Sequence, residues 1–267
     1  MLSEADVTSA AEALYSAERT RVQTGLLSQR FPGADMDDAY RIQAAFVALK
    51  RGEPGRRVIG WKIGLTSRAM QQALDITIPD SGVLLDDMEF VNGATIPEGR
   101  FIQPRIEAEI AFVMKAPIQG RVSRDEVLAA TEWVAPSIEI LDTRIVRRDP
   151  QTGRVRTIVD TISDNAANAG IILGAERHRP EDVDLRWVGA IVRRDGNVEE
   201  TGLGAGVLND PVTGIVWLAE RMGHYGQRIE AGQVILSGSF IRPVECPKGS
   251  VIDADFGPFG RVGCTFA

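Results

Sequence analysis

The sequence predicts an α+β protein in which a small helical N-terminal part precedes a sheet-dominated domain. Three observations carry this expectation. Ile42, Phe46 and Leu49 recur at i, i+4 and i+7 ahead of Gly52, the spacing of one apolar helix face. The run Gly-Glu-Pro-Gly at 52–55 then breaks that pattern. Beyond it the apolar residues gather in short β-like runs at 58–64, 106–114, 137–142, 188–193, 233–237 and 261–266.

The elements follow in chain order. Ser3 is placed to cap a first helix, and the second helix ends at Gly52. A further helix is expected over 67–74. Ser123 and Glu126 form a capping box ahead of Val127, Ala130 and Val134, which share one helical face. Asp210 and Pro211 supply the N-cap and first residue of a helix running to Gly223. Asp195-Gly196 is a hairpin signal, Gly257-Pro258-Phe259-Gly260 should turn the chain between its last two strands, and the glycine-rich stretch 202–206 reads as a turn. The expected division is a helix-rich domain over 1–75 and a catalytic domain over 76–267.

Composition narrows the function. With 267 residues, 44% hydrophobic and 25% charged, the chain can bury a substantial core. A net charge of −7 argues against nucleic acid and acidic membranes, since both require clustered cations. Arg144, Arg147 and Arg148 form the one dense basic run; such a run is usually a solvated face, but an anionic small molecule could use one of its members. The two cysteines, Cys246 and Cys264, lack metal or redox spacing, and the start of the chain lacks a signal-peptide core, so a cytoplasmic location is expected.

The chemistry concentrates in carboxylates. In PRIEAEIAFV a strand puts Glu107 and Glu109 on one face, continued by Ala111 and Val113. An edge strand with two exposed glutamates and a buried site have about even odds here. Glu139 lies in an otherwise apolar strand with Leu141 on the same face, where an unpaired charge is costly. Three carboxylates on two strands suit a hard divalent cation, magnesium first and manganese second. The only histidines, His178 and His224, sit in polar contexts, and no nucleophile-elbow, P-loop or dinucleotide fingerprint precedes a helix.

Around these lie possible acid, base and anion-binding groups. Lys62 falls in a β-like segment beside Gly64, where burial could lower its pKa, although a structural role is the commoner outcome. Asp80 follows a proline and reads first as a turn aspartate. The small polar stretches at 163–170 and 236–240, with Ser163, Asp164, Ser237 and Ser239, could present amides and hydroxyls to an anion or be ordinary turns.

The segments GWKIGLTSRAMQ, GVLLDDM, FIQPRIEAEIAFV, DTISDNAANAGIILG, GVLNDPVTGIVWLA and IEAGQVILSGSFIRPV together resemble the hydratase and decarboxylase group of the fumarylacetoacetase-like superfamily, through nearly the whole chain. The stretch RRDPQTGRVRTIVDTISDNAANAG is most similar to members that hydrate a seven-carbon 2-oxo-enedioate of homoprotocatechuate breakdown. The resemblance implies a mixed β-roll for the catalytic domain, a ring-like, pentamer-based homo-oligomer and association with a decarboxylase. It places metal ligands on Glu107, Glu109 and Glu139 and a Lys-Asp pair on Lys62 and Asp80.

The implied reaction begins with a proton shift in a 2-hydroxy-dienoate, after which water adds at C4 to give a 4-hydroxy-2-oxo acid. The metal would neutralise charge on the substrate's oxygens, with Lys62 and Asp80 as acid and base. Arg105, Arg144 and Arg242 are candidates for a distal carboxylate. Decarboxylation of a 2-oxo-enedioate such as 4-oxalocrotonate and hydration of 2-hydroxypenta-2,4-dienoate are the alternatives. Carbon–carbon hydrolysis is disfavoured by the shortage of histidine, and a catalytically silent scaffold should survive loss of the three glutamates.

Overall fold

The computed structural model describes residues 1–68, 71 and 78–267; the helix expected over 67–74 lies largely outside them. The N-terminal part contains α1 (Glu4–Thr20), α2 (Leu27–Arg30) and α3 (Met36–Arg51). The Ser3 hydroxyl accepts from the Asp6 amide at 3.2 Å, and the Asp6 carboxylate accepts from the Ser3 amide, closing the cap reciprocally. Ile42 and Phe46 are fully buried, but Leu49 is 37% exposed, so the inward face of α3 is narrower than the sequence spacing suggested. These helices pack on Leu14, Leu27 and Ile145, which ties them to the catalytic part.

Thirteen strands are found among the described residues: β1 (Val58–Gly64), β2 (Asp80–Leu85), β3 (Glu89–Phe90), β4 (Thr95–Ile96), β5 (Arg105–Met114), β6 (Thr131–Leu141), β7 (Asn168–Leu173), β8 (Gly189–Arg194), β9 (Asn197–Leu203), β10 (Val234–Leu236), β11 (Val244–Glu245), β12 (Val251–Asp255) and β13 (Arg261–Phe266). The larger sheet runs β2-β1-β10-β5-β6-β7-β3, with β11 also paired to β5. The smaller runs β4-β13-β12-β8-β9. β1 pairs parallel with β10 and antiparallel with β2, so the sheets are mixed, and β1 lies inside the large sheet although it precedes residue 75. Ile110, Phe112 and Ile138 from the large sheet and Ile252, Ala254 and Val262 from the small one share a single core.

Among the described residues there are three further α-helices: α4 (Arg124–Ala130), α5 (Ile158–Ser163) and α6 (Pro211–His224). The Ser123–Glu126 capping box opens α4 as expected, but α4 stops at Ala130 and Val134 belongs to β6. The reason is long-range pairing. Val134 sits opposite Phe112 in a ladder running almost the full length of β5, which outweighs continuation of the helix. Asp195 and Gly196 both take positive φ, 55° and 82°, in the two-residue turn between β8 and β9. Gly257–Phe259 turns the chain between β12 and β13, and Gly204–Gly206 forms a 3-10 turn after β9. No helix among the described residues is long and apolar enough to cross a membrane.

Candidate metal and substrate site

Glu107 and Glu109 project from the same face of β5, and Glu107 sits directly opposite Glu139 on β6. Oxygens from the three carboxylates all lie within 4.8 Å of one another. β5 is an interior strand, flanked by β6 on one side and by β10 and β11 on the other, so the exposed-edge reading of these glutamates does not hold. Glu109 and Glu139 are fully buried and Glu107 is half-buried.

Such a cluster is unfavourable on its own. One oxygen of Glu109 accepts from the Gly238 amide at 2.8 Å, but its other oxygen and Glu139 Oε2 have no hydrogen-bond partner, and Glu139 Oε1 has only the Lys62 ammonium at 3.3 Å. Burial and the adjacent Glu139 charge push the Glu107 carboxyl up to about 8. Burial, then Glu139 and Glu107, hold Glu109 well above the usual carboxylate range. Burial raises Glu139 as well, against the opposing pull of Lys62. A divalent cation would supply the missing positive charge and partners for the orphaned oxygens, and an all-carboxylate donor set suits a hard ion such as magnesium.

Lys62 on β1 is buried and reaches across the curled sheet to Glu139, with Nζ 3.3 Å from Oε1. Burial alone would lower its pKa, as the sequence suggested. The charges of Glu139, Asp80, Glu107 and Glu109 outweigh that effect and hold the ammonium above its ordinary value. Asp80 opens β2 opposite Gly64, and a Cβ added at Gly64 would meet Asp80 Oδ1 at 2.2 Å and Lys62 Nζ at 3.1 Å. The glycine therefore vacates the space into which both side chains converge. The Asp80 carboxyl is raised by burial, and its Oδ1 is buried without a partner.

The other expected site residues divide by environment. Ser237 and Ser163 are fully buried, each with a hydroxyl that has no partner, and Ser237 directly precedes the amide that bonds Glu109. The Ser239 hydroxyl donates to Ile241 O at 2.9 Å. Arg144 is fully buried; its backbone amide donates to Asp164 Oδ2 at 2.9 Å, its Nε pairs with the same carboxylate, and its guanidinium also reaches the main-chain oxygens of Asp164 and Asn168. The Asp164 carboxyl is nonetheless pushed up to about 6 by burial. Asn165, Ala166 and Ala167 directly after it all take left-handed φ near 50–60°, a conformation held by the Asn165 side chain bonding both backbone groups of Val83. Arg105 pairs with Glu245, whereas Arg242 is exposed and pairs with Glu200 at 2.7 Å. The Gly238 amide lies in the stretch 236–240 expected to present amides to an anion, whereas sequence reasoning did not single out Ser137 opposite Glu109 or Arg156; only the density of arginines in 147–156 hinted at the last.

The chain matches no protein-family profile. It is 48% identical over 257 residues to the 2-oxo-hept-4-ene-1,7-dioate hydratase of Escherichia coli, covering 96% of each chain. It is 38% identical to the 2-keto-4-pentenoate hydratase of Paraburkholderia xenovorans, over 96% of this chain and 93% of that one. Its fold superposes on 4-oxalocrotonate decarboxylase from Pseudomonas putida G7, solved with magnesium and adipate, with a TM-score of 0.93 and 30% identity over 100% and 99% of the two chains. Such identity across almost the whole length places the chain in the hydratase and decarboxylase group of the fumarylacetoacetase-like superfamily, as an enzyme of the hydro-lyase type.

Proposed function

We propose that the chain is a magnesium-dependent hydratase of 2-hydroxyhepta-2,4-diene-1,7-dioate, the enol form of a 2-oxo-heptenedioate, yielding 4-hydroxy-2-oxoheptanedioate in homoprotocatechuate breakdown. The observation that carries the reading is the buried Glu107, Glu109 and Glu139 cluster with orphaned oxygens beside Lys62 and Asp80. The 48% identity to a hydratase named for that substrate supports the choice of substrate.

Glu107, Glu109 and Glu139 would hold the cation. When bound, it supplies Lewis-acid stabilisation of charge developing on the substrate's carboxylate and 2-oxo oxygens. Asp80, raised by burial and with one oxygen free, is suited to take the proton from the 2-hydroxyl and deliver one to C5, moving the double bond into conjugation with the ketone. Water then adds at C4. Lys62, kept protonated by its carboxylate neighbours, offers a fixed positive charge and a proton donor near the nascent enolate. The Gly238 amide, in the loop after β10, orients Glu109, while Lys62, Asp80, Glu107 and Glu139 are carried by strands.

The resemblance further supports a pentamer-based homo-oligomer and a decarboxylase partner, both open to light scattering and co-purification. Two free, buried cysteines support a reducing, cytoplasmic setting. The decisive assay follows ultraviolet loss of the dienol with and without magnesium, for the wild type and for Glu107→Gln. Metal-dependent decay that Glu107→Gln abolishes is the expected result. Equal decay in both would refute the site, and carbon dioxide release would make the enzyme a decarboxylase, the activity of its 30% identical structural relative.

A further inference from the structure

Residues 147–156 fold back as a tight hairpin. Asp149 accepts from the Gln151 and Thr152 amides at 2.9 and 2.7 Å, Arg148 bridges Val155, and the Arg156 amide donates to Arg147 O at 3.0 Å. This pairing sets Arg147 and Arg156 directly opposite each other, an arrangement that repels unless an anion lies between like charges. Arg105 adds a third guanidinium. One carboxylate, Glu245, serves both Arg105 and Arg147, while Arg156 has no ion-pair partner among the described residues. The Nε atoms of Arg105 and Arg147 are buried with no hydrogen-bond partner. Burial and the charge of Arg105 hold Arg147 and Arg156 below the usual guanidinium range, the reverse of the ion-paired Arg144. Among the described residues, Glu245 is the one carboxylate in ion-pair contact with any of the three cations, and the Nε donors of Arg105 and Arg147 stay unused.

The cluster borders the metal site. Arg105 lies two residues before Glu107 on the same face of β5, about 7 Å along the strand. Burial raises the Asp80 and Asp164 carboxyls, and the charge of Arg156 partly opposes that rise in both. The six carbon–carbon bonds between the terminal carboxyl carbons of a seven-carbon dioate span the same extended length as two residues of backbone, again about 7 Å. A dioate anchored by one carboxylate through a cation on Glu107, Glu109 and Glu139 thus has the length to reach the Arg105 position with the other.

We propose that Arg105, Arg147 and Arg156 form the subsite for the distal carboxylate of a dicarboxylic 2-oxo-enoate, and that this subsite makes the enzyme select dioates over monocarboxylic 2-oxo-enoates. The inference rests on the reading of the carboxylate cluster as the anchor for the substrate's 2-oxo end. Binding tests it separately from turnover, by calorimetry on the magnesium-loaded protein with 2-oxoheptanedioate and 2-oxopentanoate, neither of which can be hydrated. The wild type should bind the dioate at least about tenfold more tightly, the scale of one charge-assisted contact. Arg156→Gln should remove most of that preference, weakening the dioate far more than the monoacid, and Arg156→Lys should restore part of it. Arg147→Gln provides the same readout should Arg156→Gln fail to fold. Equal wild-type affinities, or equal weakening of both ligands in both glutamine variants, would overturn the subsite. A dioate preference in a protein that hydrates nothing would instead leave the subsite standing and refute the proposed reaction.

Discussion

Lys62 Nζ stands 3.3 Å from Glu139 Oε1, so that a cation on β1 reaches a carboxylate on β6 across the two strands between them. Neighbouring strands lie about 4.8 Å apart, so three spacings in a flat sheet would put the two backbones about 14 Å apart. The contact is made by curling of the sheet and by the length of the lysine. It sets one ammonium among four carboxyl groups, and this imbalance underlies the predictions that follow.

Lys62→Met removes the positive charge nearest Glu139. Without metal, the variant should unfold about 3–5 kcal/mol more easily than the wild type, the cost of leaving a buried charge uncompensated. Magnesium should recover much of that loss but not activity. Urea titrations with magnesium or with chelator measure both effects, and a metal-free variant as stable as the wild type would refute this account of the pair.

Glu109→Gln should act in opposite directions on binding and stability. Loss of a ligand lowers magnesium affinity by at least about tenfold, since one charged oxygen donor is gone. The metal-free variant, relieved of one repelled carboxylate, should be at least as stable as the metal-free wild type. Calorimetry and chemical denaturation on the same preparation check the pair of signs.

The Glu107 carboxyl lies near 8 in the folded protein against 4.5 for an unperturbed glutamate. Between those values the native state holds a proton that the unfolded chain has released, so stability of the metal-free protein should fall as pH rises from about 5 to 8. Magnesium replaces that proton, so its affinity should climb over the same interval and the thermal midpoint with saturating magnesium should flatten. A metal-free midpoint that rises with pH would contradict the burial of this cluster.

Gly64→Ala would set a Cβ 2.2 Å from Asp80 Oδ1. Displacement of Asp80 should lower kcat by about 10²-fold, the contribution of one positioned proton-transfer group, while magnesium affinity changes little because the three glutamates are untouched. A parallel loss of metal binding would show that the substitution disturbs the sheet itself.

Arg144→Met should cost about 3–5 kcal/mol of stability, because it leaves the buried Asp164 carboxylate without its cation. Magnesium affinity of the folded protein should be unaffected. A change confined to substrate affinity, with stability intact, would return Arg144 to the substrate-binding role considered from the sequence.

Features written in short stretches of chain were readable before folding. The Ser3 and Ser123 caps, the Asp195-Gly196 turn and the two-residue spacing of Glu107 and Glu109 depend on neighbours within a few positions, and each holds in the structure. The end of α4 was not readable, because pairing of Val134 with distant Phe112 decides it. The chemistry followed the same division. Residue types pointed to a carboxylate cluster that could hold a hard metal, but whether β5 lay at an edge or inside the sheet was a matter of partners far away in sequence. Arginines divide most clearly: Arg144, Arg156 and Arg242 are equivalent cations on paper. Packing alone ties Arg144 to Asp164, sends Arg242 to the surface beside Glu200 and leaves Arg156 opposite Arg147, because a charge takes its role from the dielectric and counter-charges that the fold brings to it.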